Sequence, residues 1–306
     1  MLSLFLEQLL NGLQYGVFLF LLSAGLTLTF GIMNLVNLAH GSLFMIGAYC
    51  AAAVYGWTGS YVAACAAAPL MTALLGWLLE ISLIRRIYGR DHLVQVLLTF
   101  GLLLFFNQLM VAIFGAASVP IDIPAFLSGR VDILPHRPYP TFRLAIIAAG
   151  CIVARALYAT ISRTRVGAMV RAGASNRTML AALGVNVRLV YAGVFCAGAA
   201  LAGLAGVMAG PVLSIEPGMG DEMLVLCFVV IVIGGIGSVR GALAASLIVG
   251  VVEVLGRTLL KDALSALLGY TAAQTAAPAA ASVSVYAVMI LILFFRPQGL
   301  FPARTG

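Results

Sequence analysis

The sequence predicts an all-α protein whose helices cross a membrane about eight or nine times. Hydrophobic residues make up 63% of the 306 residues and charged residues only 9%, whereas a soluble domain carries roughly 25% charged residues. The apolar residues also come in long runs, and a helix needs about 20 of them to cross the hydrocarbon of a bilayer. The segments between the runs are too short to form a second domain, so we expect a single transmembrane domain over residues 1–306.

Nine apolar runs are the predicted spans. We expect the first to be retained as a span rather than cleaved as a signal peptide, because no basic region precedes it. Runs 41–57 and 223–239 are marginal in length, which leaves both eight and nine crossings open. In chain order, the runs cover residues 9–32, 41–57, 61–84, 93–114, 143–161, 190–210, 223–239, 241–260 and 279–295.

The distribution of arginine predicts the orientation of these spans. The breaks at 85–92, 162–189 and 296–306 hold most of the arginines and are expected in the cytoplasm. The breaks at 115–142 and 211–222 carry Asp and Glu and are expected outside, the first as a proline-rich loop. Nine spans place the N-terminus outside, and it moves inside if the second run only dips into the membrane. The net charge of +7 follows from this asymmetry and does not indicate a nucleic-acid partner.

Residues for catalysis, metal binding or cofactor binding are not arranged in any usable pattern. The only lysine is Lys261, which lies in no glycine-rich Gly-Lys-Ser/Thr motif, so we expect no ATP hydrolysis by this chain. The three histidines are scattered, and the five cysteines lie within apolar segments without metal-ligand spacing. The sequence therefore predicts neither an enzyme nor a bound metal or cofactor.

Two acidic residues fall within the predicted spans. Glu80 lies about one turn from the cytoplasmic end of its span, where we expect it to reach water. Glu253 and Arg257 are four residues apart with the acid first, the spacing of a helical ion pair. Charges inside a membrane are often functional, so a transport role stands beside a purely structural one for this pair.

A polar break follows the first apolar run. Asn34, Asn37 and His40 recur every three residues, and Gly41 follows them. Polar side chains at membrane depth need partners or water. We interpret the segment as a partly unwound element beside a substrate route, and the alternative is a polar cluster that only bonds neighbouring helices.

A second break is rich in glycine. Gly234, Gly235 and Gly237 precede Gly241, and four glycines in eight residues do not sustain a regular helix. Glycine-interrupted segments in the two halves of a carrier can mark its binding site. The alternative is a tight turn at the cytoplasmic surface.

The inner loop, residues 162–189, is too long for a simple connection between helices. Ser175 is predicted to cap a short helix over 176–183, and Gly184 suits the left-handed position after it. This loop is either a docking element for a partner or a basic surface segment. Its candidate docking residues are Arg165, Gly167, Arg171, Asn176 and Gly184.

Four motifs together resemble the permeases of branched-chain amino-acid ABC transporters, over nearly the whole chain and in order. They are Asn37-Leu-Ala-His40-Gly41 with Gly47-Ala48-Tyr49, Thr164-Arg165-Val-Gly167-Ala-Met-Val-Arg171-Ala172 continuing to Leu183-Gly184-Val185-Asn186, Gly234-Gly235-Ile236-Gly237-Ser238, and Arg296-Pro297-Gln298-Gly299-Leu300-Phe301.

The resemblance implies a helical permease in the bacterial inner membrane. Its partners would be membrane lipid, a second homologous permease, cytoplasmic ATP-binding subunits and a periplasmic substrate-binding protein. The inner loop would dock on the ATPase.

Two departures from the family pattern concern the ATPase contacts. The acidic residue that often follows the Arg171-Ala172 pair is absent, and Arg240 stands where the family often has proline. Urea and short-amide permeases resemble the same family, so they are one alternative to a branched-chain amino-acid permease. An ion-coupled secondary carrier is the other alternative.

Overall fold

The structure is a computed structural model that describes residues 2–134 and 137–301. Met1, Pro135, His136 and residues 302–306 lie outside it, and with them parts of the predicted breaks 115–142 and 296–306. The described residues form eleven α-helices and one β-hairpin. The helices are α1 Leu2–Met33, α2 His40–Thr58, α3 Tyr61–Ser82, α4 His92–Phe114, α5 Thr141–Arg163, α6 Arg165–Ser175, α7 Arg177–Ala182, α8 Val187–Ala209, α9 Met219–Gly234, α10 Val239–Leu268 and α11 Tyr270–Phe295, and the strands are β1 Arg130–Leu134 and β2 Arg137–Pro140.

Each of the nine predicted spans contains a helix, which confirms the all-α polytopic fold, although run 223–239 extends past the end of α9 at Gly234. Within the described residues, seven helices are long and apolar enough to cross a membrane, namely α1, α3, α4, α5, α8, α10 and α11. The two marginal runs are α2, with 19 residues, and α9, with 16. Both are largely buried among the other helices, α2 against α8, α3 and α9, and α9 against α10, α1 and α2.

Helix α1 forms the centre of the bundle and packs against α10 and α8. Its most apolar stretch is 83% buried, whereas the corresponding stretches of α5 and α11 are 11% buried and lie at the periphery. Small residues let helix backbones approach closely in lipid. A Cβ on Gly12 would lie 2.7 Å from the Cα of Val251, and one on Gly47 would lie 2.5 Å from the Cα of Gly203. Close helix crossings therefore depend on glycine.

The breaks predicted on opposite sides of the membrane lie at opposite ends of the bundle. At one end, Asn34, Arg90 and Ser175 line a common cavity. At the other end, the Tyr139 hydroxyl of the hairpin donates to Asn11 Oδ1 of α1 at 3.1 Å. The start of α1 therefore lies at the same end as the hairpin. The side of the membrane that this end faces stays a prediction.

Two predictions about irregular segments were wrong. Break 115–142 is not only a loop, because it contains a 3-10 turn at Ala125–Leu127 and the antiparallel pair β1 and β2. The span predicted to end at residue 260 continues as α10 to Leu268, and α11 begins at Tyr270. Alanine-rich sequence has high helix propensity without strong hydrophobic contrast, which explains why these extensions were missed.

Candidate functional site

The polar break is an unwound segment between α1 and α2. Asn34 has φ +52°, which is uncommon for a residue other than glycine but tolerated by asparagine. Asn37 is fully buried, and both polar atoms of its amide are without a partner among the described residues. The Thr99 hydroxyl of α4 donates to the Val36 carbonyl at 3.3 Å, which ties the segment to α4.

His40 begins α2 and is enclosed by the bundle, with 1% of its surface exposed. Its Nε2 lies 3.1 Å from the Leu22 carbonyl of α1, so the proton must be on Nε2, because a carbonyl only accepts. The next residue, Gly41, faces α9, and a Cβ there would lie 2.4 Å from the Gly220 carbonyl oxygen. These two residues hold the start of α2 between α1 and α9.

Further buried polar atoms lie on α2, α4 and α9. Ser42 and Tyr49 are seven residues apart on α2 and so share a face, and their hydroxyls are without a partner within the described part of the chain. Asn107 Nδ2 of α4 donates to Asp221 Oδ2 of α9 at 2.8 Å, and the Oδ1 of each residue is buried and unbonded there. The Tyr49 ring stacks on Phe114, 4.7 Å between centroids, which joins α2 to α4. We call Asn37, Ser42, Tyr49, Asn107 and Asp221 the polar row.

Buried polar groups in native proteins are normally hydrogen-bonded, and at membrane depth only water or a solute can supply the missing partners. The polar row therefore is the candidate translocation path. Sequence reasoning identified Asn37 and missed the other four residues. Two of the four had a signal in the sequence: Asn107 is an amide within run 93–114, and Asp221 is an acid two residues before run 223–239.

The glycine break is a tight turn at which the end of α9, the start of α10, the end of α1 and residues 300–301 are in close contact. A Cβ on Gly234 would lie 2.5 Å from the Gly241 carbonyl carbon, so α9 and α10 meet backbone to backbone. Gly237 lies against Gly31 of α1, and Gly235 has φ +98°. The amides of Leu300 and Phe301 donate to the carbonyls of Ile233 and Gly234 at 2.8 Å and 3.0 Å. Close packing accounts for these glycines, and a place for Gly234, Gly235 and Gly237 in the path stays a prediction.

Glu80 does not reach water as expected, because it is fully buried. Arg85 forms a bidentate pair with its carboxylate, Nη2 to Oε2 at 2.7 Å and Nε to Oε1 at 3.1 Å, and the Tyr88 hydroxyl donates to Oε1 at 2.6 Å. The 3-10 turn at Ile84–Ile87 folds back and brings both partners to the carboxylate. Burial and the Glu80 carboxylate together raise the pKa of the Tyr88 hydroxyl far above its ordinary value, so it stays a donor.

The predicted pair of Glu253 and Arg257 is present in α10. Both Nε and Nη2 of Arg257 lie 2.7 Å from Glu253 Oε1. The Glu253 side chain is 2% exposed and that of Arg257 is 53% exposed. The pair therefore joins the bundle interior to its surface, and a transport role for it stays a prediction.

The inner loop contains two helices, α6 and α7, instead of one. The Thr164 hydroxyl caps α6 by accepting from the Gly167 amide at 3.1 Å. The prediction that Ser175 caps the second helix was wrong by one residue, because Asn176 Oδ1 accepts from the Met179 amide at 3.0 Å. Gly184 follows α7 with φ +81°, the left-handed conformation that was predicted.

Helix α6 is joined tightly to the end of α5. A Cβ on Gly167 would lie 2.2 Å from the Ile161 carbonyl oxygen, so only glycine fits there. The Arg171 guanidinium donates to the same carbonyl, in the last turn of α5. Arg171 is thus partly engaged by its own chain, whereas Arg165 at the start of α6 is exposed.

Residues 2–134 and 137–301 contain no cluster of three or more His, Cys, Asp or Glu that could hold a metal ion. The cysteines, all within those ranges, are unpaired thiols. The site chemistry is therefore described by amides, hydroxyls, carboxylates and guanidinium groups.

The family match and the similar known proteins all concern permease components of branched-chain amino acid transport. The family described as "Branched-chain amino acid transport system / permease component" matches residues 8–293. The high-affinity branched-chain amino acid transport system permease protein BraD of Pseudomonas aeruginosa is 30% identical, over 97% of this chain and 95% of the relative. The corresponding LivH of Salmonella typhimurium is 28% identical over 97% and 95%, and a probable LivH of Methanocaldococcus jannaschii is 26% identical over 81% and 80%. No solved structure matches the chain.

The matched range includes the polar break, the inner loop and the glycine break, and it extends through nearly all of α11. The match therefore covers the whole helical bundle rather than one shared hydrophobic segment. The chain belongs to the family of permease components of branched-chain amino acid transport systems.

Proposed function

We propose that this chain is the permease subunit of an ATP-binding-cassette importer that moves branched-chain amino acids across the bacterial inner membrane. The observation that carries the proposal is the family match over residues 8–293, within a bundle that has seven apolar helices long enough to span. The names of the relatives from Pseudomonas and Salmonella support the same substrate class. The whole chain, residues 1–306, would act as one transmembrane domain.

The chain would supply the path but not the energy. Its single lysine, Lys261, lies within α10 and not in a phosphate-binding loop, so ATP would be hydrolysed by a separate cytoplasmic subunit. The other expected partners are a second homologous permease, a periplasmic substrate-binding protein and the surrounding lipid. The purified chain alone should therefore show no ATP turnover.

The polar row and the start of α2 would line the path. Asn37 and His40 are buried at the junction of α1, α2 and α9, and Gly41 allows the close approach of α9. Asn34 lies at the cytoplasmic mouth of the same segment. A solute that crosses here would satisfy polar atoms that are otherwise without partners.

The inner loop would dock on the ATPase through α6 and α7. Support comes from the joint at Gly167, because a push on α6 is transmitted directly to α5 when the two backbones are in contact. Arg165, Arg171, Asn176 and Gly184 would present or shape the docking surface. Arg171 also contacts the end of α5, so Arg165 gives the cleaner test.

The docking test compares Arg165→Glu with Arg130→Glu in the outer hairpin, which changes net charge equally. Co-purification of the ATPase at matched expression should fall for Arg165→Glu and stay unchanged for Arg130→Glu. Equal retention for both variants would show that the inner loop is only a basic surface segment.

An ion-coupled carrier has less support. Such a carrier needs buried acids that can take up a proton or a sodium ion. Glu80 and Glu253, the two acids predicted within spans, are each held by an arginine. Asp221 of the polar row is bonded to Asn107 and to no arginine among the described residues, so it is the one acid on which this alternative depends.

The experiment for the main proposal is uptake in cells that lack their own branched-chain amino-acid transport. Expression of this chain with its partner subunits should restore uptake of radiolabelled L-leucine that stops when ATP is depleted. Uptake of urea without leucine would favour the amide permeases, and uptake that follows an ion gradient without ATP would overturn the importer.

A further inference from the structure

Arg155 is an exposed arginine on a helix that spans the bilayer. The 23 residues of α5 form a helix about 34 Å long, close to the roughly 30 Å thickness of the hydrocarbon. Arg155 lies eight residues before the end of this helix at Arg163, about 12 Å along its axis. The backbone of Arg155 therefore lies within the hydrocarbon and not at the headgroups.

The guanidinium group of Arg155 has no partner in its own chain. Among the described residues it forms neither an ion pair nor a hydrogen bond, although arginines within membrane spans normally pair with an acid or a backbone carbonyl. Helix α5 is also peripheral, since its most apolar stretch is only 11% buried. The missing partner must therefore come from outside the bundle.

A second arginine lies close to Arg155. Tyr158 is three residues further along α5, and side chains with this spacing are neighbours on the helix surface, with about 5–6 Å between their Cβ atoms. The Arg240 guanidinium of α10 lies over the Tyr158 ring, 4.6 Å from its centroid, and donates to the Tyr158 hydroxyl. We call Arg155, Tyr158 and Arg240 the α5–α10 cluster. It holds two exposed positive charges, and neither is paired with a carboxylate in the described part of the chain.

The cluster gives a structural role to a departure noted in the sequence. Arg240 stands where the family often has proline, and a proline side chain is too short to reach across to α5. Arg240 is also the second residue of α10, and the start of a helix carries a partial positive charge. The substitution therefore adds positive charge at a place where the helix itself already favours an anion.

We infer that the α5–α10 cluster binds the headgroup of an acidic phospholipid. Arg155 and Arg240 bind the phosphate through charge-assisted hydrogen bonds. The acyl chains lie along the exposed apolar surface of α5, which includes Ile152 one turn before Arg155. Basic sites between spanning helices are known to hold such headgroups. The inference concerns the membrane around the chain and does not depend on the transported substrate.

A lipid fits this cluster better than a second copy of the chain. The two acids within the predicted spans, Glu80 and Glu253, are buried and each is held by an arginine, so a second copy offers neither of them to Arg155. A zwitterionic lipid also fits less well, because its own cation offsets the charge of its phosphate. An acidic phospholipid supplies a net negative charge against the two arginines.

The first experiment measures the lipid preference of the purified full chain. The chain is delipidated in detergent and titrated with phosphatidylglycerol or phosphatidylcholine of identical acyl chains. Phosphatidylglycerol should be retained in preference and should raise the melting temperature more, because a ligand that binds only the folded protein stabilises it. Added salt should reduce the preference, because the contacts are between charges. Equal stabilisation by inorganic phosphate would identify a site for free anions and overturn the lipid assignment.

The second experiment uses variants in the same titration. Arg155→Gln and Arg240→Gln should each weaken the binding of phosphatidylglycerol about fivefold, the effect of one basic residue near an acidic headgroup. Arg155→Lys keeps the charge and should recover most of the affinity. Arg188→Gln is the matched control, since Arg188 is exposed at the start of α8 and lies outside the cluster. It removes the same charge and should leave the affinity unchanged.

The melting temperature of Arg155→Gln separates lipid binding from folding. In phosphatidylcholine it should equal or exceed that of the wild type, because the substitution removes an unpaired charge from the hydrocarbon. In phosphatidylglycerol the order should reverse, because only the wild type gains from the bound lipid.

Equal preference for phosphatidylglycerol in Arg155→Gln and Arg188→Gln would overturn the inference. So would an Arg155→Gln variant that keeps the lipid preference but no longer co-purifies with a second permease, which would identify a carboxylate of that subunit as the partner of Arg155. These measurements need no transported substrate. Failure of leucine uptake in cells therefore refutes the proposed function and leaves the lipid site to be judged by its own titration.

Discussion

The polar break and the glycine break interrupt the helices in different ways, the first with buried polar side chains and the second with close backbone packing. In the polar break, Asn34 holds a left-handed conformation without being glycine, and Asn37 is buried with both amide atoms unbonded among the described residues. In the glycine break, every close approach is made by glycine, and the last carbonyls of α9 receive amides from Leu300 and Phe301. One break carries buried side-chain atoms without a partner among the described residues, whereas the other is closed by bonds between backbone groups. The comparison teaches that unsatisfied burial, rather than loss of helix alone, distinguishes a candidate path from a structural turn.

The largest effect is expected from a substitution that disrupts the glycine break. Gly234→Ala places a Cβ 2.5 Å from the Gly241 carbonyl carbon, which the backbone of α10 cannot avoid without moving. We expect a loss of about 3 kcal/mol in the free energy of unfolding, measured as a lower melting temperature of the purified protein. Gly56→Ala is the matched control, because it lies in α2 with open space around it and should gain up to about 1 kcal/mol. Equal melting temperatures would show that the two helices are not in contact at Gly234.

The second largest effect is expected from removal of the His40 ring, which holds the start of α2. His40→Ala empties a buried site and loses the hydrogen bond to the Leu22 carbonyl, so we expect roughly 2 kcal/mol of destabilisation. Uptake should fall while the ATPase still co-purifies, because the inner loop is elsewhere. A variant that inserts into the membrane but no longer assembles would assign His40 to packing, together with the glycine turn.

The third effect separates stability from transport. Asn37→Leu removes two unbonded polar atoms from a fully buried position, so the variant should gain about 1 kcal/mol in stability. Uptake of leucine should nevertheless fall about tenfold, the factor that corresponds to a loss of 1.4 kcal/mol for a solute in the path. The melting temperature and the initial uptake rate, measured on the same preparation, test these two effects of Asn37→Leu separately. Unchanged uptake would place Asn37 outside the path.

The smallest effect concerns the strained residue at the mouth. Asn34→Gly should change stability by less than about 0.5 kcal/mol, because glycine relieves the left-handed strain but loses more entropy on folding. Asn34→Val should cost about 1–2 kcal/mol, since a β-branched residue disfavours φ +52°. If the two variants have the same melting temperature, the conformation of residue 34 is not constrained in the folded protein.

The positions of the helices could be predicted because long apolar runs determine where a chain crosses lipid. The limits of α10 and α11 could not, because the segment 261–282 is rich in alanine and lacks the contrast that marks an end. The cap of α7 was missed by one residue because Ser175 and Asn176 are both good caps, and only the backbone geometry selects between them.

The candidate site was predicted less completely than the fold. The polar break and the Glu253–Arg257 pair could be found from local spacing. Asn107 and Asp221 are 114 residues apart, and Glu80 is buried only because a turn brings Arg85 and Tyr88 back to it. Pairings of this kind depend on which helices become neighbours, and a single sequence does not contain that information in its local pattern.

The hydrogen bonds from Leu300 and Phe301 to the end of α9 have a consequence for biosynthesis. The carbonyls of Ile233 and Gly234 are synthesised before α10 and α11, so they leave the ribosome long before the amides that bind them. The turn between α9 and α10 must therefore wait for two further helices to insert before it is locked. A nascent chain released ahead of Leu300 would hold all its spanning helices and still lack the contact that closes its cytoplasmic end.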